Sequence, residues 1–213
     1  MLELSQFRAD INEIMGKMRP ELEEEEYAQL RTLRDQLFGL QRANQVKINH
    51  SVMELICAKH LIKNGFQVEM EHMIKKVSCD VFGTKGFGTA LVEVETGFVS
   101  PENALDPNTY LKARVASKIT RYSGFANKFI LGTPPYYIMQ IPPALTKPPR
   151  FRTDEEIEAI KRLCDLYYTS PPVSIEEIRN ARLHSIYAID VDTVSVREWE
   201  VNEYLGKAAL WSL

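Results

Sequence analysis

The sequence predicts an α/β protein in which helices pack against a mixed β-sheet. Three observations carry this prediction. A helical stripe over residues 51–64 is followed by three runs of strand character, 67–72, 77–83 and 90–95. A second stripe over 110–122 is followed by two more β-like runs, 128–131 and 136–141, parted by Pro134 and Pro135. The order helix, three strands, helix, strand, strand suits a mixed sheet with helices laid against it.

Residues 1–48 read as helix throughout. An amphipathic segment precedes Pro20, and a longer one over 21–43 carries Tyr27, Leu30, Leu33, Leu37 and Leu40 at three- and four-residue steps. The acidic run Glu23, Glu24, Glu25 and Glu26 lies in its first turns, where the helix dipole favours negative charge. The leucine row is long enough to pack on the chain's own core and too short for a long coiled coil, with dimerisation the second use open to it. Gly65 is suited to a left-handed cap on the helix over 51–64. The glycines of Thr84-Lys85-Gly86-Phe87-Gly88-Thr89 suit a hairpin connection, and the segment lacks the spacing of a phosphate-binding loop.

Residues 145–151, rich in proline and basic side chains, look like a linker. Thr153 with Glu156 makes a capping box. A helix over 174–183, a strand over 184–190 and a helix over 196–205 complete the pattern. Three regions are therefore expected: a helical one over 1–48, a core over 50–142, and an α+β accessory region over 153–213.

With 213 residues, 45% of them hydrophobic and 26% charged, the chain can bury a substantial core. Its net charge of −3 argues against coating nucleic acid through bulk positive charge, so any such contact needs a local basic face. Cys57, Cys79 and Cys164 are odd in number and widely spaced, which indicates neither a disulfide framework nor a zinc site and fits a reducing compartment. No signal-peptide pattern opens the sequence, and no stretch approaches the roughly 18 apolar residues of a membrane span. A cytoplasmic protein without a membrane partner is expected.

The chemistry concentrates in a few acids. In Leu91-Val92-Glu93-Val94-Glu95 strand alternation puts Glu93 and Glu95 on one face and the valines on the other. Like charges side by side on a strand are unfavourable unless a cation balances them. Exposure at a sheet edge is the plainer alternative, but the apolar neighbours point to a central strand, where acids are disfavoured. Asp80 lies in a similar apolar run, Val77-Ser78-Cys79-Asp80-Val81-Phe82, on the partner strand of the hairpin. Alone it is equally compatible with a turn cap. At 100° per residue Glu54 falls inside the stripe of Leu55, Ala58, Leu61 and Ile62, where an acid needs either a site or a buried basic partner.

Glu54 on a helix, Asp80 on a strand and Glu93-Val94-Glu95 on the next strand resemble the core of the PD-(D/E)XK nuclease superfamily, which includes restriction endonucleases and archaeal Holliday-junction resolvases. The interval 93 − 80 = 13 residues suits a hairpin. The resemblance covers 50–142 and rests on short motifs. It implies a restriction-endonuclease-like α-β-β-β-α-β core with a mixed central sheet. It further implies a Mg²⁺ or Mn²⁺ ion held by Asp80, Glu93, the carbonyl of Val94 and Glu54, and metal-dependent hydrolysis of DNA phosphodiesters, with branched DNA among the substrates. Resolvase-like relatives cut two strands symmetrically, which implies a homodimer, with residues 1–48 as its interface. The layout is similar also to nuclease-like proteins of archaeal spindle-shaped viruses, for which the compartment is the host cytoplasm.

Two positions depart from the pattern. Cys79 stands where the family often has proline, and Glu95 stands in the usual lysine position. In some relatives that position is also glutamate, and in others the lysine comes from a neighbouring helix. Glu95 would then orient or deprotonate the attacking water, and Lys118 is the candidate for the displaced cation. Arg114, Lys118 and Arg121 share one helix face and would contact nucleic acid, although such a row is more often a solvated face. The four histidines, His50, His60, His72 and His184, show no ligand spacing and read as surface or satisfied residues. Thr96-Gly97 reads as a turn that ends the strand. Two further readings stand beside the nuclease: a nucleic-acid-binding protein on the same fold without catalysis, and an interaction module whose acids are structural.

Overall fold

The alternation over 67–95 folds into a meander. β1 (Gln67–Ile74), β2 (Val77–Lys85) and β3 (Gly88–Val94) pair antiparallel in sequence order. The computed structural model describes residues 2–43, 46–75 and 77–211. The connection between β2 and β3 is tighter than the sequence suggests, with Lys85 paired to Gly88 and Gly86 at φ +57°, as primed hairpin turns require.

Beyond β3 the chain crosses over through α4 (Pro107–Tyr122) to β4 (Lys128–Thr133), which lies parallel to β3. Asp106 caps α4 by accepting from the Thr109 N–H, and Pro107 takes the first turn. A second crossover, through α5 (Pro143–Thr146), α6 (Asp154–Asp165) and α7 (Ile175–Asn180), leads to β5 (Ser185–Asp190), parallel to β4. β6 (Ser195–Glu200) closes the sheet antiparallel to β5, and α8 (Val201–Trp211) follows. The result is one mixed six-stranded sheet in the order β1-β2-β3-β4-β5-β6. The α/β class with a mixed sheet is as the sequence predicts.

Each face of the sheet carries its own core. On one face α1 (Leu2–Met18), α2 (Glu24–Arg42) and α3 (Ile48–Lys63) bury Ile11, Leu30, Leu37, Leu55 and Ile56 against Met70, Val81, Val92 and Ile130. On the other, α4, α6 and α7 bury Val115, Ile119, Ile157 and Ile178 against Leu91, Phe129, Leu131 and Ile186. β4, covered on both sides, reads as an unbroken buried run from Phe129 to Thr133.

Several expectations are corrected here. Leu30, Leu33 and Leu37 are buried within the chain, so this row is not a free seam for the expected homodimer. The helix expected throughout 1–48 is interrupted by a 3₁₀ turn at Arg19–Glu21 and is not continued at residues 46 and 47, while residues 1, 44 and 45 lie outside the described residues. Residues 136–141 form no strand. Prolines 134, 135, 142 and 143 bracket the segment and remove backbone donors, and it lies as irregular chain with Met139 buried and its N–H donating to Tyr204 Oη (3.0 Å). The helix expected over 196–205 begins as strand β6, because pairing along β5 outweighs the weak local pattern.

Residues 145–151 are not a linker. Leu145 is buried, and the Arg152 guanidinium donates to the carbonyls of Ala144, Leu145, Lys147, Ile178 and Arg179, stapling α5 and the following turn to the end of α7. The segment 153–213 supplies two strands to the same sheet as 50–142. Among the described residues no helix is long and apolar enough to cross a membrane, and Cys57, Cys79 and Cys164 are free and buried. Replacing Arg152 by alanine orphans several buried carbonyls and is expected to cost about 2–4 kcal/mol of stability. Urea unfolding at unchanged m-value measures it.

Candidate functional site

The backbone ladder between β2 and β3 stops at the pair Val81 and Val92, short of the strand ends. Two carboxylates complete it. The Asp80 N–H donates to Glu93 Oε1 (3.1 Å), and the Val94 N–H donates to Asp80 Oδ2 (2.6 Å). The strands thus part at the residues that carry the acids, and polar side chains take over the work of backbone carbonyls.

Side chains from both faces of the sheet meet in this gap. From the α4 side, Lys118 Nζ donates to the Val94 carbonyl (2.7 Å) and lies 3.1 Å from Glu93 Oε2 and 3.4 Å from Asp80 Oδ2. From the α3 side, His50 Nε2 lies 3.0 Å from the same Asp80 Oδ2 and 3.4 Å from Glu54 Oε1. Glu54 is 0% exposed, and neither of its oxygens has a hydrogen-bond partner. Atoms of His50, Glu54 and Asp80 lie within 4.8 Å of one another, a spacing that a metal ion could bridge.

The expected metal set is therefore rearranged. Asp80, Glu93 and the Val94 carbonyl, read as ligands, surround the Lys118 ammonium, while Glu54 groups with Asp80 and His50. Glu95 also changes role. It is buried and accepts two hydrogen bonds from Arg114, from Nε to Oε2 (2.7 Å) and from Nη2 to Oε1, and a third from the Gly97 N–H (2.9 Å). A carboxylate so occupied is not free to deprotonate water. The strand already ends at Val94, before Thr96 and Gly97; Gly97 has φ +76°, and a Cβ there would sit 2.6 Å from the Tyr137 ring.

The basic row on α4 is divided as well. Lys118 is in the site and Arg114 flanks it, bonded also to the Phe98 carbonyl (2.7 Å). Arg121 donates to the Pro171 carbonyl and lies over the Tyr168 ring, outside the cleft that Arg114 and Lys118 line. A cleft of about 360 Å³, lined by Lys47, Asn49, His50, Val94, Glu95, Phe98, Arg114 and Lys118 among others, reaches the His50 and Lys118 side of the gap.

Two residues of the site escape a reading of the sequence. His50 stands four residues before Glu54, one helical turn away, and that spacing was the available signal. Glu71 lies opposite Asp80, since Met70 pairs with Val81 and His72 with Cys79. It accepts from Ser78 Oγ (3.0 Å), and its backbone has φ +49°, a left-handed conformation rare outside glycine. Only the hairpin register places it there.

Charge in the gap is balanced unevenly. Burial opposes ionisation of Asp80, yet the Lys118 ammonium, His50 and the Val94 N–H hold its carboxyl well below the usual range. Burial and the Asp80 charge push Glu93 up to about 8, against the pull of Lys118. Burial, then Asp80, Glu71 and Glu93, push Glu54 well above the ordinary value. Burial would lower Lys118, but Asp80, Glu93 and Glu95 keep it firmly protonated.

Glu54 and Glu93 thus hold their protons in the folded chain at pH values where the unfolded chain has released them, from the ordinary 4.5 up towards about 8 for Glu93. Their burial costs the fold nothing while both states are protonated, and a growing amount as pH rises through that window. Glu54→Gln, neutral at every pH, is expected to gain in Tm relative to the unsubstituted chain as chelator-treated samples go from about pH 5 to about pH 8. His60 and His184, held low by burial, titrate in both proteins and cancel in the difference. A Tm difference that stays flat over the window would mean that Glu54 does not change protonation on folding.

No protein-family model matches this chain, and no match to it was found among curated proteins or solved structures.

Proposed function

We propose that the chain is a metal-dependent DNA endonuclease with a restriction-endonuclease-like core, formed by α3, β1, β2, β3, α4 and β4. The observation that carries the reading is the meeting of Lys118 with Asp80, Glu93 and the Val94 carbonyl. That is the position a catalytic lysine needs, supplied from a helix because β3 carries Glu95 in its place. The unpartnered oxygens of Glu54 beside Asp80 fit a divalent cation, Mg²⁺ or Mn²⁺, which would polarise a scissile phosphate and lower the pKa of water.

The chain's own groups divide the remaining tasks. Lys118, which lines the cleft, offers an ammonium to the charge that develops on the phosphoryl oxygens. Glu95 holds Arg114 at the cleft wall, where with Lys47 it can contact flanking phosphates. Asp80 stays ionised under these conditions and keeps Lys118 and His50 aimed at one point.

One observation favours a second reading, a nucleic-acid-binding protein without catalysis: Glu95, at the motif position, is locked by Arg114. Incubation of branched, duplex and single-stranded DNA with Mg²⁺ or Mn²⁺ separates the two. Cleavage is expected, with Asp80→Ala and Glu93→Ala abolishing it and Lys118→Met slowing it about 10²-fold. Cleavage that survives both acid substitutions excludes this site, and binding without metal-dependent cleavage selects the second reading.

A further inference from the structure

The chemistry of the gap is not that of an all-oxygen site. We infer that the chain binds one divalent first-row transition-metal ion, of the Mn²⁺ class and in preference to Mg²⁺, through His50, Glu54 and Asp80, while the Lys118 ammonium holds the place a second ion would need. This deepens the nuclease reading, and it rests on that reading for the use of the ion but not for its binding.

Three observations support the site. His50 and Glu54, one turn apart on α3, present Nε2 and a carboxylate to Asp80 across the sheet, with the candidate ligand atoms within 4.8 Å of one another. Glu54 is wholly buried and neither of its oxygens accepts a hydrogen bond, its one polar neighbour of opposite kind being His50 Nε2 at 3.4 Å, itself a candidate ligand. Such a group is costly unless a proton or a cation satisfies it. The site also has an entry path, because His50 lines the cleft and leaves room for further ligands from water or substrate.

The donor set selects the ion. Carboxylate oxygens alone suit Mg²⁺, which dehydrates reluctantly and seldom takes an imidazole ligand. One imidazole nitrogen with two carboxylates shifts the preference toward first-row transition ions, and Mn²⁺ tolerates both donor types. The number of ions follows from Lys118. Its ammonium lies 2.7 Å from the Val94 carbonyl, 3.1 Å from Glu93 and 3.4 Å from Asp80, filling the space between these oxygens with a positive charge already present. A cation placed there would meet the ammonium at contact distance.

Calorimetric titration of the metal-stripped full chain with MnCl₂ and with MgCl₂ tests the inference. One equivalent of Mn²⁺ is expected, bound at least about tenfold more tightly than Mg²⁺. His50→Ala is expected to weaken Mn²⁺ binding by about tenfold or more and to change Mg²⁺ binding far less. His50→Gln, which keeps the side-chain volume and a polar tip, should behave alike and guards against a fold defect in the alanine variant. Lys118→Met is expected to admit a second equivalent.

Equal affinity for the two ions, or Mn²⁺ binding untouched by both His50 substitutions, overturns the site. Two equivalents in the unsubstituted chain, or a single one in Lys118→Met, overturns the blocking role of the lysine. Failure of the nuclease reading is a separate result. One Mn²⁺ bound through His50 without any DNA hydrolysis leaves the metal site standing, and Mg²⁺-driven hydrolysis indifferent to His50 removes the metal site and leaves the nuclease.

Discussion

One carboxylate oxygen, Oδ2 of Asp80, is claimed at once by a helix on each face of the sheet and by the backbone of the neighbouring strand. His50 reaches it from α3, Lys118 from α4, and the Val94 N–H from β3. An intact sheet at this point would keep the side chains of the two cores apart. The contact exists only because the β2–β3 ladder ends at Val81 and Val92. The backbone donors released there are satisfied by Asp80 and Glu93, so the gap is held open without leaving those N–H groups unpaired.

The rest of the candidate site follows from that opening. Alternation on β3 sends Glu93 and Glu95 toward α4, where Lys118 and Arg114 answer them, and sends Val92 and Val94 into the opposite core. The two ion pairs differ in character. Glu95 and Arg114 form a closed pair with matched forks, whereas Lys118 is shared among three oxygens, closest to the Val94 carbonyl and farther from the two carboxylates. Glu54 has the least compensation of all. A buried acid of this kind weakens the fold unless a proton or a cation satisfies it.

Much of this was legible in the sequence, for reasons that differ by residue. Glu54 and Glu93 stood out because they interrupt apolar stripes of known period, and Lys118 because it lies at helical spacing beside such a stripe. Asp80 needed only the hairpin. His50 has no ligand spacing to the other histidines, and its only sequence signal is Glu54, one helical turn on. Glu71 depends on strand register, which local pattern does not encode. The same limit explains β6, whose edge position and partner along β5 decide a segment with little preference of its own. Residues 145–151 look like a connector by composition, and only the burial of Leu145 and the fan of carbonyls around Arg152 reveal a packed corner.

Every strand of the sheet lies beside the strands that precede and follow it in the chain, so its spatial order is its order of synthesis. A ribosome would release β1, β2 and β3 as a self-contained meander with α3 already available to cover one side. Each later strand would then find its neighbour in place. The acids on β2 and β3 would be brought together before α4 delivers the ammonium that neutralises them. The nascent chain would pass through a stage in which the two carboxylates face each other in water, and docking of α4 would exchange that solvent for the Lys118 ammonium.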